Sequence, residues 1–324
     1  MASVCDAVKM VLCHIITFMD FSRLFKGAKK EFGSNLTMKI GHPPKMKSSS
    51  CFCFWSDLLG FSNIFVETNW ELNKSQMEII YSRLEAAHSS ALYYSAPFER
   101  MLILNDGIAK VFHPKNKIED RNNILSISMF LRSCVELHMS ISETEHEKGL
   151  PGCRTILAFG ENIEYLTEEV RFDDYVFNYS KPQESEISDL AKSIGNPIVI
   201  YNPKELQMNT AFSKAYILES GGKKAGLPGN YMYIDKSVID AIDKYARDKG
   251  YHPIWQEDEG VMNYFVPYNN GDLSKVVLGF CFDKNIIHPQ GVIYETEVYK
   301  LIKYYPWDED TNEFYFDVNN PTRR

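Results

Sequence analysis

The sequence predicts an α+β fold in which helices lie on one face of a mostly antiparallel sheet. Three observations indicate this class. Short apolar runs alternate with stretches of helical spacing, an Asn-Asp-Gly turn separates two of those runs, and 44% of the 324 residues are hydrophobic. A chain of this length can bury a sizeable core, either as one large domain with extensions or as two domains.

The first elements follow from apolar spacing and from turn residues. Residues 33–50 collect Gly, Pro, Ser and Lys, which is typical of a linker, and the apolar run before them is interpreted as a buried helix. The apolar run 51–59 predicts a buried strand. Residues 71–95 have helical spacing, and Pro97 is expected to end that helix.

A β-hairpin is predicted at 99–112, because Asn105, Asp106 and Gly107 separate two short apolar runs. A helix at about 120–141 and a strand at 153–161 follow. The remaining predictions are a strand, two helices and three strand-like pieces, at 198–202, 207–220, 237–249, 261–268, 276–282 and 291–305. These elements suggest an N-terminal helical extension and linker (1–48), a central domain (49–236) and a C-terminal α/β extension (237–324).

Composition argues against several classes of partner. The net charge is −8 and no basic run occurs, so no nucleic-acid partner is expected. The N-terminal apolar run is too short to span a bilayer and lacks a cleavage pattern, so no membrane partner is expected either. Seven cysteines without zinc-type spacing predict reduced thiols and a cytoplasmic protein. Cys51 and Cys53 are interpreted as buried strand residues.

Two aspartates are the candidates for chemistry. Asp57 ends the first predicted strand and Asp106 lies in the hairpin, so neighbouring strands would bring both carboxylates to one sheet edge. Close carboxylates repel unless a cation neutralises them, and Mg²⁺ or Mn²⁺ binds one or two carboxylates plus substrate phosphates. The alternative is that Asp57 caps the next segment and Asp106 is an ordinary turn residue.

Both stretches resemble motifs of the class III nucleotidyl cyclases. "FWSDLLGFS" (54–62) is similar to their first metal-binding motif, and "LILNDGIAKVF" (102–112) to their second. The resemblance implies a ferredoxin-type sandwich and two Mn²⁺ or Mg²⁺ ions per active site, bound by Asp57 and Asp106 with the Leu58 carbonyl. It also implies that backbone N–H groups of the turn after the strand hold the triphosphate, at Gly60, Phe61 and Ser62.

Weaker matches extend the resemblance over residues 49–236. "FSKAYILE" (212–219) looks like the helix whose Asn and Arg stabilise the transition state, but Ser213 and Ile217 stand at those positions. Lys214 is the expected substitute cation. The family shares its active site across a head-to-tail homodimer, which implies that Ser213 and Lys214 act on the partner's aspartates. Arg154 is expected to contact either a phosphate or an acid of a neighbouring helix.

The base contact also departs from the purine cyclases. Leu102 stands where they carry Lys or Glu, and Arg100 is expected on the same strand face as Leu102 and Asp106. These departures resemble the Pycsar-type pyrimidine cyclases of bacterial anti-phage defence, which make cyclic CMP or cyclic UMP for a separate effector. A purine cyclase and a non-catalytic nucleotide-binding module remain alternatives.

Overall fold

The computed structural model describes residues 45–96, 98–114, 123–166, 170–172, 175–177, 205–206, 208–269, 272–307 and 315–319. The predicted N-terminal helix, Pro97 and the strand at 198–202 lie outside this part of the chain. Two compact units are present. The larger comprises Lys47–Glu164 and Glu205–Arg324, and the smaller comprises Met1–Met46 and Tyr165–Lys204.

The first half of the larger unit has the predicted order of strand, helix, hairpin, helix and strand. Its elements are β1 (Lys45–Leu58), α1 (Asn63–Glu67), α2 (Lys74–Tyr93), β2 (Glu99–Leu104), β3 (Gly107–Phe112), α3 (Asn123–Glu147) and β4 (Cys153–Leu166). Two details differ from prediction. β1 begins at Lys45, inside the predicted linker; residues 46–50 are exposed or half-buried, and the buried run begins at Cys51. The short helix α1 was not predicted.

The described part of the smaller unit includes a two-stranded hairpin, β5 (Val170–Phe172) and β6 (Tyr175–Phe177). The larger unit resumes with the helix α4 and one turn of 3-10 helix. Its elements are α4 (Thr210–Gly221), the 3-10 turn (Gly222–Ala225), β7 (Met232–Asp235), α5 (Lys236–Arg247), β8 (Ile254–Asp258), β9 (Val261–Asn269), β10 (Asp272–Asp283), β11 (Val298–Tyr305) and β12 (Phe316–Asp317).

One large sheet organises the larger unit. Its strand order is β2-β3-β1-β4-β7-β11-β10-β9-β8, and β12 pairs with β11. Among the pairs whose register is described, β4 and β7 run parallel and the others antiparallel. The predicted α+β class with a mostly antiparallel sheet is confirmed. Strands of 237–324 continue this sheet through the β7–β11 pair, and the predicted division at residue 236 remains a prediction.

The sheet has two differently packed faces near β1. Phe52 and Phe54 join α2, α3 and α5 in the larger hydrophobic cluster. Trp55 lies on the other face, in a smaller cluster with Ala215 and Leu218 of α4. We call these the helix-layer face and the α4 face. The prediction that the helices lie on one face was therefore wrong, because α4 packs on the second. Within the described residues, Ile124–Glu147 of α3 is long and apolar enough to cross a membrane, but 61% of the window tested is buried, as in a core helix.

Candidate active site

The two aspartates lie at the same end of β1 and the β2–β3 hairpin. In the β1–β3 register Asp57 is opposite Gly107, and the Leu58 N–H donates to the Asp106 carbonyl at 3.3 Å. Asn105 begins the turn with a φ of 59°, which reverses the chain and places Asp106 beside β1. The predicted proximity therefore follows from strand pairing and from one left-handed residue.

The nearby cationic side chains do not fully offset the burial of the carboxylates at this edge of the sheet. Burial, then the charges of Glu219 and Asp106, raise the pKa of Asp57 to about 8, against the opposing effects of Arg154 and Arg83. Burial also raises the pKa of Asp106, although hydrogen bonds from its own backbone and from Asn105 oppose this. Asp57 is therefore a largely buried carboxyl beside two other acids, an arrangement that favours a bound cation.

Glu219 of α4 is the site residue that the sequence did not reveal. Its Oε1 accepts from Arg154 Nη2 at 2.7 Å, and Arg154 Nη2 also donates to the Glu219 carbonyl at 3.1 Å. Arg154 was expected to contact either a phosphate or an acidic residue of a neighbouring helix, and the structure contains the second contact. The guanidinium thus ties β4 to the C-terminal end of α4. A cross-element contact of this kind leaves no local sequence signal.

The donor set suits a hard divalent cation. Carboxylate oxygens are the ligands that Mg²⁺ and Mn²⁺ prefer, and a cation would offset the burial and the neighbouring acids that raise the Asp57 pKa. Within the described residues no group of three or more His, Cys, Asp and Glu side chains is arranged to hold a metal. Asp57 and Asp106 would accordingly need further ligands from substrate phosphates and water.

The predicted phosphate turn lies directly between β1 and α1. Gly60 has a φ of 65°, a backbone conformation that glycine adopts without strain. Phe61 is buried, and its N–H donates to the Leu58 carbonyl at 3.4 Å. Ser62 is the N-cap residue of α1 without a side-chain capping bond. Leu58 and Phe61 therefore already bond each other within the turn, while the roles of all four residues remain predictions.

The structure corrects the expected alignment of Arg100 with Asp106. Alternation places Arg100 and Leu102 on one face of β2, but the strand ends at Leu104 and Asp106 lies in the turn, where alternation does not apply. Leu102 packs against the cluster around Trp55. Arg100 is 62% exposed and lies 3.9 Å from Glu205, so its guanidinium is available at the surface.

The two predicted helix residues make local contacts in the protomer. Ser213 Oγ donates to the Asn209 carbonyl at 2.9 Å, and Lys214 Nζ donates to the Phe159 carbonyl at 3.0 Å. Lys214 Nζ also lies 5.1 Å from the ring centre of Tyr294. These contacts place Ser213 and Lys214 away from Asp57 within one chain, whereas Glu219 of the same helix lies near it.

Comparison with known proteins gives structural but not sequence-level similarity. No protein-family model and no curated protein sequence matches the chain. Among solved structures, the chain is similar to the guanylyl cyclase Cya2 (12% identity, TM-score 0.38, covering 83% of this chain and 96% of that one). It is also similar to the adenylyl cyclase CyaB from P. aeruginosa (11% identity, TM-score 0.36, 80% and 96%).

A third similar structure is a class III adenylyl cyclase-like ATP-binding protein from Pseudomonas aeruginosa, at 11% identity and a TM-score of 0.30 over 49% of this chain and 38% of that one. All three TM-scores are below 0.5. The reaction therefore has to be argued from the residues of this chain.

Proposed function

We propose that the protein is a metal-dependent nucleotidyl cyclase that converts CTP or UTP to the 3′,5′-cyclic monophosphate and pyrophosphate. The observation that carries the proposal is the placement of Asp57 and Asp106 at one sheet edge, where burial and neighbouring acids raise the pKa of Asp57 to about 8. The resemblance of the motifs around both aspartates to those of class III nucleotidyl cyclases supports the proposed reaction class.

In the proposed reaction the ribose 3′-hydroxyl oxygen attacks the α-phosphorus. The bond between the α-phosphorus and the bridging oxygen of pyrophosphate breaks, and the hydroxyl proton leaves to solvent or to a base. Divalent cations, when bound, supply charge neutralisation for the triphosphate and acidify the hydroxyl. Asp57 and Asp106 would bind and position these cations. The turn at Gly60, Phe61 and Ser62 receives the phosphates, and the Leu58 carbonyl is a further candidate ligand.

The site is proposed to be shared in a head-to-tail homodimer. Lys214 and Ser213 lie away from Asp57 of their own chain, and their hydrogen bonds go to the Phe159 and Asn209 carbonyls. A helix that serves the partner's site satisfies both observations. Lys214 would then stabilise charge on the transferring phosphoryl group across the interface.

Pyrimidine selectivity is proposed from Leu102 and Arg100. Leu102 packs beside Trp55 and offers no charge to read a purine, whereas Arg100 is exposed on the same strand face. The product would be a second messenger for a separate effector in anti-phage defence, within the cytoplasm. The buried state of the five described cysteines, all free, supports reduced thiols.

One observation favours a different function. Ser213 and Lys214 both make bonds to backbone carbonyls, so a non-catalytic nucleotide-binding module with the same fold is the second candidate. A purine cyclase with altered base contacts is the third.

A single experiment separates the three. Purified protein is incubated with each of the four nucleoside triphosphates and Mn²⁺, and products are identified by mass spectrometry. We expect CTP or UTP to be turned over at least ~100-fold better than ATP or GTP, about 2.7 kcal/mol in transition-state binding. Comparable kcat/KM for ATP would replace the pyrimidine assignment by the purine one. Nucleotide binding without product would favour the module.

A further inference from the structure

The indole ring of Trp55 packs directly on the backbone of Gly107. A Cβ atom at residue 107 would lie 2.2 Å from Trp55 Cη2 and 2.7 Å from Cζ2, whereas carbon atoms in contact prefer about 3.5–4.0 Å. Gly107 has an ordinary negative φ, so it is not required for its conformational freedom. It is required because no side chain fits under the ring.

The ring has little room to move away from Gly107. Trp55 is only 5% exposed, and Phe212 and Tyr216 of α4 meet it edge-on, with centroid distances of 5.5 Å and 5.8 Å. These two aromatic rings also stack on each other at 5.9 Å. Trp55 is thus fixed between α4 and the hairpin, and an added atom at residue 107 would have to displace the hairpin instead.

That hairpin carries a candidate metal ligand. Gly107 directly follows Asp106 and pairs with Asp57 across the sheet. The distance between the β3 backbone and the Trp55 ring therefore sets how closely the Asp106 turn approaches the end of β1. A shift of about 1 Å in such a group is enough to impair a catalytic site strongly.

We propose that Trp55 and Gly107 form a positioning pair that sets the placement of Asp106 relative to Asp57. The inference rests on the proposed function, because it assumes that the two aspartates bind divalent cations together. Neither residue touches the cation. Their contact acts through the hairpin, in the way that residues behind metal ligands tune affinity in other proteins.

The chain offers a matched control in β10. A Cβ atom at Gly279 would lie 2.5 Å from Phe265 Cδ1 and 2.8 Å from its Cε1, which is the same type of collision with an aromatic ring. Gly279 pairs within the β9–β10 part of the sheet and belongs to no part of the proposed site. Gly279→Ala therefore reports the cost of such a collision alone.

The test measures Mn²⁺ binding to the full chain by electron paramagnetic resonance without nucleotide, with thermal unfolding in parallel. We expect Gly107→Ala to weaken Mn²⁺ affinity about tenfold or more. The double variant Gly107→Ala/Trp55→Phe should recover most of that loss, because the shorter ring makes room for the methyl group. Gly279→Ala should lower the unfolding temperature but leave Mn²⁺ affinity unchanged.

Several outcomes would overturn the positioning pair: unchanged affinity in Gly107→Ala, no recovery in the double variant, or an equal loss of affinity in Gly279→Ala. If Gly107→Ala does not fold, Trp55→Phe alone tests the positioning pair. The gap that this substitution leaves should weaken Mn²⁺ binding, and unchanged binding would contradict the proposal. Turnover by the wild type is measured separately. If the variants have the expected order of Mn²⁺ affinities but the wild type turns over no nucleotide, the cyclase function is overturned and the positioning pair stands.

Discussion

Buried charged side chains form complete ion pairs on one face of the sheet and are incompletely compensated on the other. On the helix-layer face, Arg83 Nη2 lies 2.5 Å from Glu145 Oε2, with both side chains at most 3% exposed. On the same face, Lys110 Nζ lies 2.8 Å from Glu99 Oε2. On the α4 face, Asp57 is close to two other acids and Arg154 is already paired with Glu219.

The difference separates structural charges from candidate functional ones. Buried ion pairs with complete hydrogen bonding join elements together, as Arg83 and Glu145 join α2 to α3. Acids without complete compensation invite a cation. The same contrast applies to His138 and Cys153 on the helix-layer face. Burial lowers the pKa of His138 to about 3 and raises that of Cys153, so this Cys-His contact is unsuited to nucleophilic catalysis.

Removing the uncompensated acids should have the largest effect. Asp57→Ala and Asp106→Ala should each reduce cyclisation at least about 10²-fold, because each variant loses a metal ligand and little core volume. Product formation with Mn²⁺ is measured by mass spectrometry, and circular dichroism checks the fold. Near wild-type turnover in either folded variant would contradict the two-metal hypothesis.

Mixing chains should distinguish a shared site from a site within one chain. Asp57→Ala and Lys214→Ala chains, each inactive alone, should after subunit exchange reach at most about a quarter of wild-type activity, because half of the dimers are mixed and each has one intact site. Native mass spectrometry measures exchange. Proven exchange without any activity would argue against a shared site or against Lys214 as its member.

Breaking a compensated pair should affect stability more than chemistry. Glu145→Ala leaves the Arg83 guanidinium buried without its partner and should lower the free energy of unfolding by about 3–5 kcal/mol, measured by urea denaturation. Asp240→Ala is the control, because its pair with Lys236 is exposed and should contribute at most about 1 kcal/mol. Equal losses in the two variants would contradict the contrast between faces.

One expected effect is confined to the metal-free protein, namely the pH dependence of stability that Asp57 causes. Its pKa is raised from 3.8 to about 8, so the folded state retains a proton that the unfolded state has lost, and stability falls as pH rises through this range. Asp57→Asn should therefore be more stable than wild type at pH 8, by up to about 5 kcal/mol, with no gain near pH 4.

Thermal melts with a chelator across pH 4–9 test this prediction. In the same melts with Mn²⁺ in place of the chelator, the cation should stabilise the wild type only. A constant difference between the two proteins at all pH values would show that the Asp57 carboxyl is not desolvated as described.

Local patterns predicted the site where strand pairing alone determines it. Asp57 lies at the end of an apolar strand and Asp106 in a hairpin with a clear turn signal, so their proximity was predicted from the sequence, and the β1–β3 register confirms it. Contacts between distant elements could not be found in this way. Glu219 approaches Asp57 only because α4 packs on Trp55, and the sequence of α4 contains no sign of that packing.

The fold shows the same division. Helix α2 was predicted from apolar spacing, yet its buried residues include Arg83, whose partner Glu145 lies 62 positions further along the chain. The strand-like piece predicted at 261–268 is β9, whereas its hairpin partner β8 was not predicted. Its alternation is obscured because β8 is an edge strand with mostly exposed residues.

The pairing of β7 with β11 has a practical consequence for shortening the protein. Val298, Tyr299 and Lys300 cover the outer edge of β7, and Val298 is fully buried there. A chain that stops at residue 236 would leave that edge with unpaired N–H and C=O groups beside apolar side chains, a template for intermolecular strand addition. Such a fragment should precipitate or form β-rich oligomers, although it retains every residue assigned here to catalysis.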